Sequence, residues 1–347
     1  MKVTEKSRKL SMGGTCSSGV LGLNPYASRF DIWYAKINEE EEPFIMNRYI
    51  YWGLEKEAVV ADHYGKRHGV ELIESPKRVR DIPWQTGTPD RLIVAPSEGN
   101  HYDDVGYYED PVSGRRLARR GVEIKTALGT HARKWNNKGG VGIGDRPAMV
   151  IRDIKQACGN VPLHYWMQCQ IYMELMGFPE WDLGVLLGSS DYREYRLHYD
   201  KEFMKQAMKD LKHFWEYNVE KRIAPELDDG KMVNAYLERV YGEHSDVIRE
   251  GTQLENRLAV ELRDVSQTLS ACEKSDKLLR ASIESESDER FELQDKISQL
   301  YKRKGALRAM FREQIGTDAG IDTAVGTLKW TKNGPRARTL RENWKKD

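Results

Sequence analysis

The sequence predicts a mixed α/β sheet flanked by helices, extended at its C-terminus by a helical hairpin or coiled coil. Three observations carry that expectation. Helix-like and strand-like patterns alternate through residues 1–225, as in a layered α/β core. Seven of the nine tryptophans fall in the same stretch, and large aromatics contribute the most buried area per side chain. Past residue 250 the pattern changes to apolar residues at steps of three and four.

In chain order, 31–37 and 52–67 read as helices. Residues 84–94 read as a strand interrupted by the Gly87-Thr88-Pro89 turn, and 121–126 as the next strand. Between them, 97–120 is rich in Gly, Asp, Tyr and Arg and reads as a long hairpin or insertion. A helix over 163–176 is stopped by Gly177 and followed by Pro179. Residues 182–188 and 193–197 read as strands, and a helix over 201–219 closes a domain spanning 1–225. Residues 226–250 follow Pro225, contain Asp228-Asp229-Gly230 and read as a linker. Stepping alternately three and four residues from Leu262 to Phe311, eleven of fifteen positions are apolar, so 251–316 reads as a helical coiled-coil segment. The polar run 284–289 fits either a turn between two antiparallel helices or the weak middle of one long helix. Residues 317–347 read as a small basic hairpin and tail, with seven basic and two acidic residues from 329 onward.

The 347 residues are 31% charged and carry a formal net charge of only +1, which argues against a uniformly basic protein that coats nucleic acid but leaves room for a local basic groove. No apolar run approaches the roughly 18 residues of a membrane span, and the first residues lack the apolar core of a secretory signal. A cytoplasmic setting is expected. Cys16, Cys158, Cys169 and Cys272 form no C-x-x-C pair, and the eight histidines no H-x-x-x-H pair. Neither zinc, disulfides nor an iron–sulfur cluster is expected.

The densest chemistry lies in Thr88-Pro89-Asp90 and Val122-Glu123-Ile124-Lys125. On a strand, residues two apart share a face, so Glu123 and Lys125 project together while Ile124 points to the other side. Two acids and a lysine suit phosphodiester hydrolysis. Asp90, Glu123 and the Ile124 backbone carbonyl supply hard oxygen donors for Mg²⁺, with Mn²⁺ able to substitute. Lys125 can orient the attacking water and offset charge developing on the phosphate. By itself, Glu-x-Lys is more often a surface ion pair. Other candidates fall in order around it. Glu57, on the helix after Gly53, can reach the same metal or remain a solvated helix acid. Gln168 and Tyr172, four apart on one helix face, can contact the phosphate or serve as ordinary surface residues. Arg115, Arg116, Arg119 and Arg120 in the insertion, with Arg78, Arg80 and Arg91, form either a groove for DNA phosphates or a solvated charged hairpin. The glycine-rich loop 129–146, with Trp135, either touches DNA or orders on binding it.

The ordered set G-x-x-x-E, T-P-D, E-x-K and Q-x-x-x-Y resembles the PD-(D/E)xK nuclease superfamily. With Gly13-Gly14-Thr15, the run Val20-Leu21-Gly22-Leu23-Asn24-Pro25-Tyr26, Trp33 and Lys36, it more narrowly resembles the phage-type alkaline exonucleases, the lambda exonuclease and YqaJ-like viral recombinase family. The resemblance implies a restriction-endonuclease-like core. Glu57, Asp90 and Glu123 would be its metal-site acids, Lys125 the catalytic lysine, and Gln168, Gln170 and Tyr172 the active-site wall. It also implies a 5′-phosphate pocket from Arg8, Thr15 and Thr88, with threonine where serine is familiar. The implied activity is a Mg²⁺-dependent 5′→3′ exonuclease on double-stranded DNA ends, encoded by a phage or prophage. Its 3′ overhangs would serve a single-strand annealing protein, and a homo-oligomer, a trimer in relatives, is expected. An endonuclease or structure-specific nuclease is the alternative, and a non-catalytic DNA-binding scaffold a third reading.

Overall fold

The computed structural model describes residues 11–38, 46–76, 78–79, 84–95, 104–136, 148–241, 245–281, 288–331 and 339–345. The chain divides into two compact units, residues 1–26 with 35–223, and residues 27–34 with 224–347.

The first unit is a mixed sheet flanked by helices. Helix α1 (Gly14–Val20) and the longer α3 (Arg48–His68) lie in it; α2 (Arg29–Ile37) spans the division between units. α3 begins before residue 52, where the sequence pattern placed its start. The Asn47 side chain accepts from the backbone N–H groups of Tyr49 and Ile50 and so caps an earlier turn. It stops at Gly69, whose φ of 62° is left-handed backbone that glycine adopts without steric cost.

The main sheet runs β1 (Leu72–Glu74), β4 (Arg91–Val94), β6 (Arg116–Ala127), β8 (Glu180–Leu187), β9 (Asp191–His198), β7 (Met149–Ile151), with β5 (Tyr107–Glu109) also paired to β6. A separate short pair joins β2 (Arg78–Val79) to β3 (Thr86–Gly87). The insertion is therefore a hairpin, β5 returning antiparallel along β6 with Tyr107 opposite Ala118. β6 lies at the centre, antiparallel to β4 and parallel to β8.

Val60, Ala61 and Tyr64 of α3 pack with Ile93, Val122 and Ile124 into one buried cluster. Ile124 thus points to the α3 face, which leaves Glu123 and Lys125 for the opposite face. α4 (Leu163–Met176) covers that face, its Tyr172 ring 5.4 Å from Trp181 of β8. α5 (Lys201–His213) continues into a π-helical turn, Phe214–Glu220, as one helical stretch.

The second unit contains α6 (Lys231–Val240), α7 (Gln253–Ala281) and α8 (Asp288–Ile315). It also contains a sheet ordered β10 (Ile248–Glu250), β11 (Gly320–Thr323), β12 (Gly326–Thr331), β13 (Thr339–Trp344). The expected linker over 226–250 is replaced by α6 and β10. The physical reason is non-local. The Asp31 carboxylate accepts from Met232 N–H at 2.8 Å and so caps α6, while the Phe30 and Trp33 rings lie 5.2 and 5.6 Å from Tyr236. α7 and α8 run antiparallel, since Glu261 pairs with Arg303 and Asp276 with Gln294. Leu262, Leu269, Cys272, Leu307 and Phe311 of the apolar seam are buried. The expected turn at 284–289 falls largely outside the described residues.

Candidate active site

Asp90 sits where two strands part. β4 pairs with β6 as far as Arg91 opposite Val122. One residue earlier, the Asp90 carboxylate takes the place of a strand neighbour and accepts the Ile124 N–H at 2.9 Å. In an extended strand a residue's N–H and C=O point to the same edge, so the Ile124 carbonyl is also aimed toward Asp90. Lys125 bridges the two acids, ion-paired to Glu123 and 3.7 Å from the Asp90 carboxylate.

Glu123 is fully buried, and its Oε2 has no hydrogen-bond partner among the described residues. Burial, reinforced by the Asp90 charge and only partly opposed by Lys125, pushes its pKa up from 4.5 to about 8. Burial alone would lower the Lys125 pKa, but the Glu123 and Asp90 carboxylates outweigh it and hold the ammonium above its ordinary value. A buried acid with an unpartnered oxygen, a second carboxylate and a nearby carbonyl form a donor set of hard oxygens, the kind Mg²⁺ takes. The residues present therefore fit a divalent cation.

Glu57 is placed differently from the expectation. Its helix lies on the Ile124 face of the sheet, and its carboxylate pairs with Arg91 at 2.9 Å. Burial and then the Asp90 charge raise its pKa. Among the described residues no group of three or more His, Cys, Asp or Glu side chains gathers to hold a metal, so Glu57 does not complete a three-acid cluster.

The wall opposite the acids comes from α4. Gln168 donates to the Tyr172 hydroxyl at 2.6 Å, and that hydroxyl donates to the Thr88 carbonyl at 3.3 Å. Gly14 of α1 lies against the Gln168 backbone, where an added Cβ would be 2.8 Å from Gln168 Cα. Gln170 belongs elsewhere. It is fully buried, donates to the His198 carbonyl at 2.8 Å and accepts from Asp200 N–H at 2.9 Å, tying α4 to the end of β9. Two residues along a helix is more than half a turn, so Gln168 and Gln170 face apart.

Two residues of this wall were not singled out from the sequence. Lys125 Nζ lies 5.4 Å from the Tyr165 ring centre. The His164 ring lies 4.0 Å from Tyr165, and its buried Nε2 has no hydrogen-bond partner among the described residues. Burial, then the charges of Lys125 and Lys134, push the His164 pKa down to about 4, so the imidazole is neutral. Adjacent His and Tyr on a helix carry no sequence signal for this; only the approach of Lys125 from β6 gives them a place.

Met12 pairs alongside Gln85, which carries Thr15 and Thr88 forward from adjacent segments with both side chains exposed. Arg8 lies outside the described residues. Each of the insertion's four arginines meets a group of the fold. Arg116 and Glu123 are seven residues apart on one strand, about 23 Å at roughly 3.3 Å per residue. Arg115 pairs with Glu71 at 2.8 Å, Arg116 covers the Tyr107 ring at 4.8 Å, and Arg119 donates to the Gly177 carbonyl at 2.5 Å. Arg120 is buried in an ion pair with Glu180, its register partner on β8. Trp135 is buried and stacks on Tyr165; residues 137–147 lie outside the described residues.

Comparison with known proteins places these motifs in a family. Residues 5–179, slightly more than half of the chain, match the YqaJ-like viral recombinase domain. The chain belongs to that family. All the acids, the lysine and the α4 wall of this YqaJ-like protein lie inside the matched region. The Bacillus subtilis (strain 168) protein YqaJ is 22% identical over 241 residues, covering 68% of this chain and 62% of that relative. The match therefore spans less than two thirds of the relative's length. An alkaline exonuclease (LHK-Exo) from Laribacter hongkongensis superposes with a TM-score of 0.42 and 16% identity, over 67% of this chain and 94% of that one. A phage-related exonuclease from Haemophilus somnus 129PT does so with a TM-score of 0.38 and 13% identity, over 63% of this chain and 97% of that one. Among the described residues no helix is long and apolar enough to cross a membrane.

Proposed function

We propose that this YqaJ-like protein is a Mg²⁺-dependent deoxyribonuclease that degrades one strand of duplex DNA from its 5′ end, in the cytoplasm of a phage's host. One observation carries the reading: Asp90 and Glu123 converge on Lys125, with a buried Glu123 oxygen left without a partner among the described residues.

Asp90, Glu123 and the Ile124 carbonyl would hold the cation. A divalent ion there supplies charge to offset the phosphate's and acidifies water for attack. The chain's own residues do the rest. The Asp90 carboxylate fixes the Ile124 backbone by accepting its N–H and so sets the spacing of the donors. Lys125 keeps its positive charge and presents it where negative charge grows on the phosphate. Gln168 and Tyr172 hold each other as one wall, and Thr15 and Thr88 offer exposed hydroxyls to a terminal phosphate. Glu57, through Arg91, adjusts the charge beside Asp90. Arg8 would join the phosphate pocket. The 3′ overhang would serve a single-strand annealing protein, and the working form would be a homo-oligomer, a trimer by family resemblance.

Digestion of end-labelled linear duplex tests this. With Mg²⁺, the wild type should release label from 5′ ends; chelation should stop it, and Lys125→Ala should slow it by about a hundredfold or more. Equal degradation by Lys125→Ala would remove Lys125 from the mechanism. Cutting of closed circles would favour an endonuclease.

A further inference from the structure

We propose that the outward face of the β12–β13 hairpin is a second binding site, for the phosphate backbone of duplex DNA. It lies outside residues 5–179, in a part of the chain to which the family motifs assign no role.

The pleat of these two strands sorts charge by sign. On β12, Leu328 and Trp330 are buried while Thr327, Lys329 and Thr331 face outward. On β13, Leu340 is buried, and Glu342 points inward with it toward Arg308 and Lys304 of α8, at 3.0 and 3.8 Å. Arg341 and Asn343 face outward and are exposed. The hairpin's one acid is therefore neutralised on the inner side, and its cations are left on the outer one.

Lys329 and Arg341 stand directly opposite each other in the ladder. Like charges in that position destabilise a sheet, so the pair works against the fold that presents it. Neither has an ion-pair partner among the described residues. On the other side of Lys329 the register partner is Gly320, which adds no side chain to the surface. Two acids share this face: Asp322, on the adjacent strand β11 one same-face row from Lys329, accepts from Thr327 Oγ1 at 2.7 Å, and Glu250 lies beyond it on β10.

A polyanion resolves the repulsion, and unpaired cations set among threonine and asparagine suit phosphate oxygens rather than base edges. Binding should be independent of sequence and strongly salt-dependent. The ligand is taken as duplex DNA because the paired outward cations Lys329 and Arg341 complement its phosphates, and because the inference rests on the same chain carrying the candidate nuclease site.

The test is fluorescence anisotropy of the full chain with a labelled duplex in EDTA. Binding is thereby read without cleavage, and a failure of the nuclease reading is scored separately. The Lys329→Glu/Arg341→Glu variant should lose roughly tenfold or more in affinity at low salt, and its log–log salt slope should fall by about 1.8 for two phosphate contacts. Lys329→Gln/Arg341→Gln, with unchanged circular dichroism, should lose the same slope and so excludes misfolding. A charge-matched control, Lys201→Glu/Lys205→Glu, should lose less. Equal loss in that control, or an unchanged slope in both hairpin variants, would overturn the proposal. So would tighter binding to a polyglutamate peptide than to duplex at equal salt, which would point to an acidic protein instead.

Discussion

Replacing Glu123 with glutamine should flatten the pH dependence of folding in metal-free protein. The Glu123 pKa stands at about 8 in the folded chain against 4.5 ordinarily. Between those values the unfolded chain has released the proton and the folded chain still holds it. The folded state then binds more protons, so stability falls as pH rises. The advantage is complete below 4.5 and is lost as pH climbs through about 8. Each pKa unit is worth about 1.4 kcal/mol, which sets an upper limit near 5 kcal/mol across the window. Lys125 adds no slope there, because its pKa is raised above 10.5 and it stays protonated in both states. Urea unfolding in EDTA from pH 5 to pH 8.5 should show the wild type losing several kcal/mol relative to Glu123→Gln. Excess Mg²⁺ should restore the wild type at the alkaline end, since a cation replaces the proton. Parallel profiles for the two proteins would refute the reasoning, because Glu123 would then ionise as freely in the folded chain as in the unfolded one.

Other substitutions separate site from scaffold. Gly14→Ala places a Cβ 2.7 Å from Gln168 Cγ and 2.8 Å from its Cα, so α1 and α4 must move apart. Overpacking of that kind costs about 1–3 kcal/mol, and nuclease activity should fall with it; an unchanged melting temperature and activity would show that the two helices separate freely. Arg120→Ala removes the buried guanidinium from Glu180, which among the described residues keeps only His198 at 3.3 Å and Arg196 at 3.9 Å, and should cost about 3 kcal/mol in chemical denaturation. Arg115→Ala breaks only an exposed pair with Glu71 and should leave the melting curve in place. A reversed order of the two would contradict their assignment as buried strut and surface pair.

These contrasts also mark how far the sequence could be read. The E-x-K face was legible because a strand repeats every two residues, whatever surrounds it. The helix Leu163–Met176 was legible at its C-terminal end, where Gly177 takes left-handed backbone and Pro179 follows. The four arginines were not, because charge count says nothing about partners. Arg120 meets Glu180 only through the parallel register of β6 and β8, sixty residues apart. α6 was missed because its cap, Asp31, comes from the other end of the chain. Gln170 shared a motif with Gln168, but helix geometry turns it toward β9.

Calorimetric titration of Mg²⁺ or Mn²⁺ into metal-free protein is the most direct test of whether Asp90 and Glu123 together hold a divalent cation. Saturable binding by the wild type is expected, with loss of that heat in Asp90→Asn and in Glu123→Gln while both variants keep the wild-type circular dichroism. Equal stoichiometry and affinity in all three proteins would contradict the account.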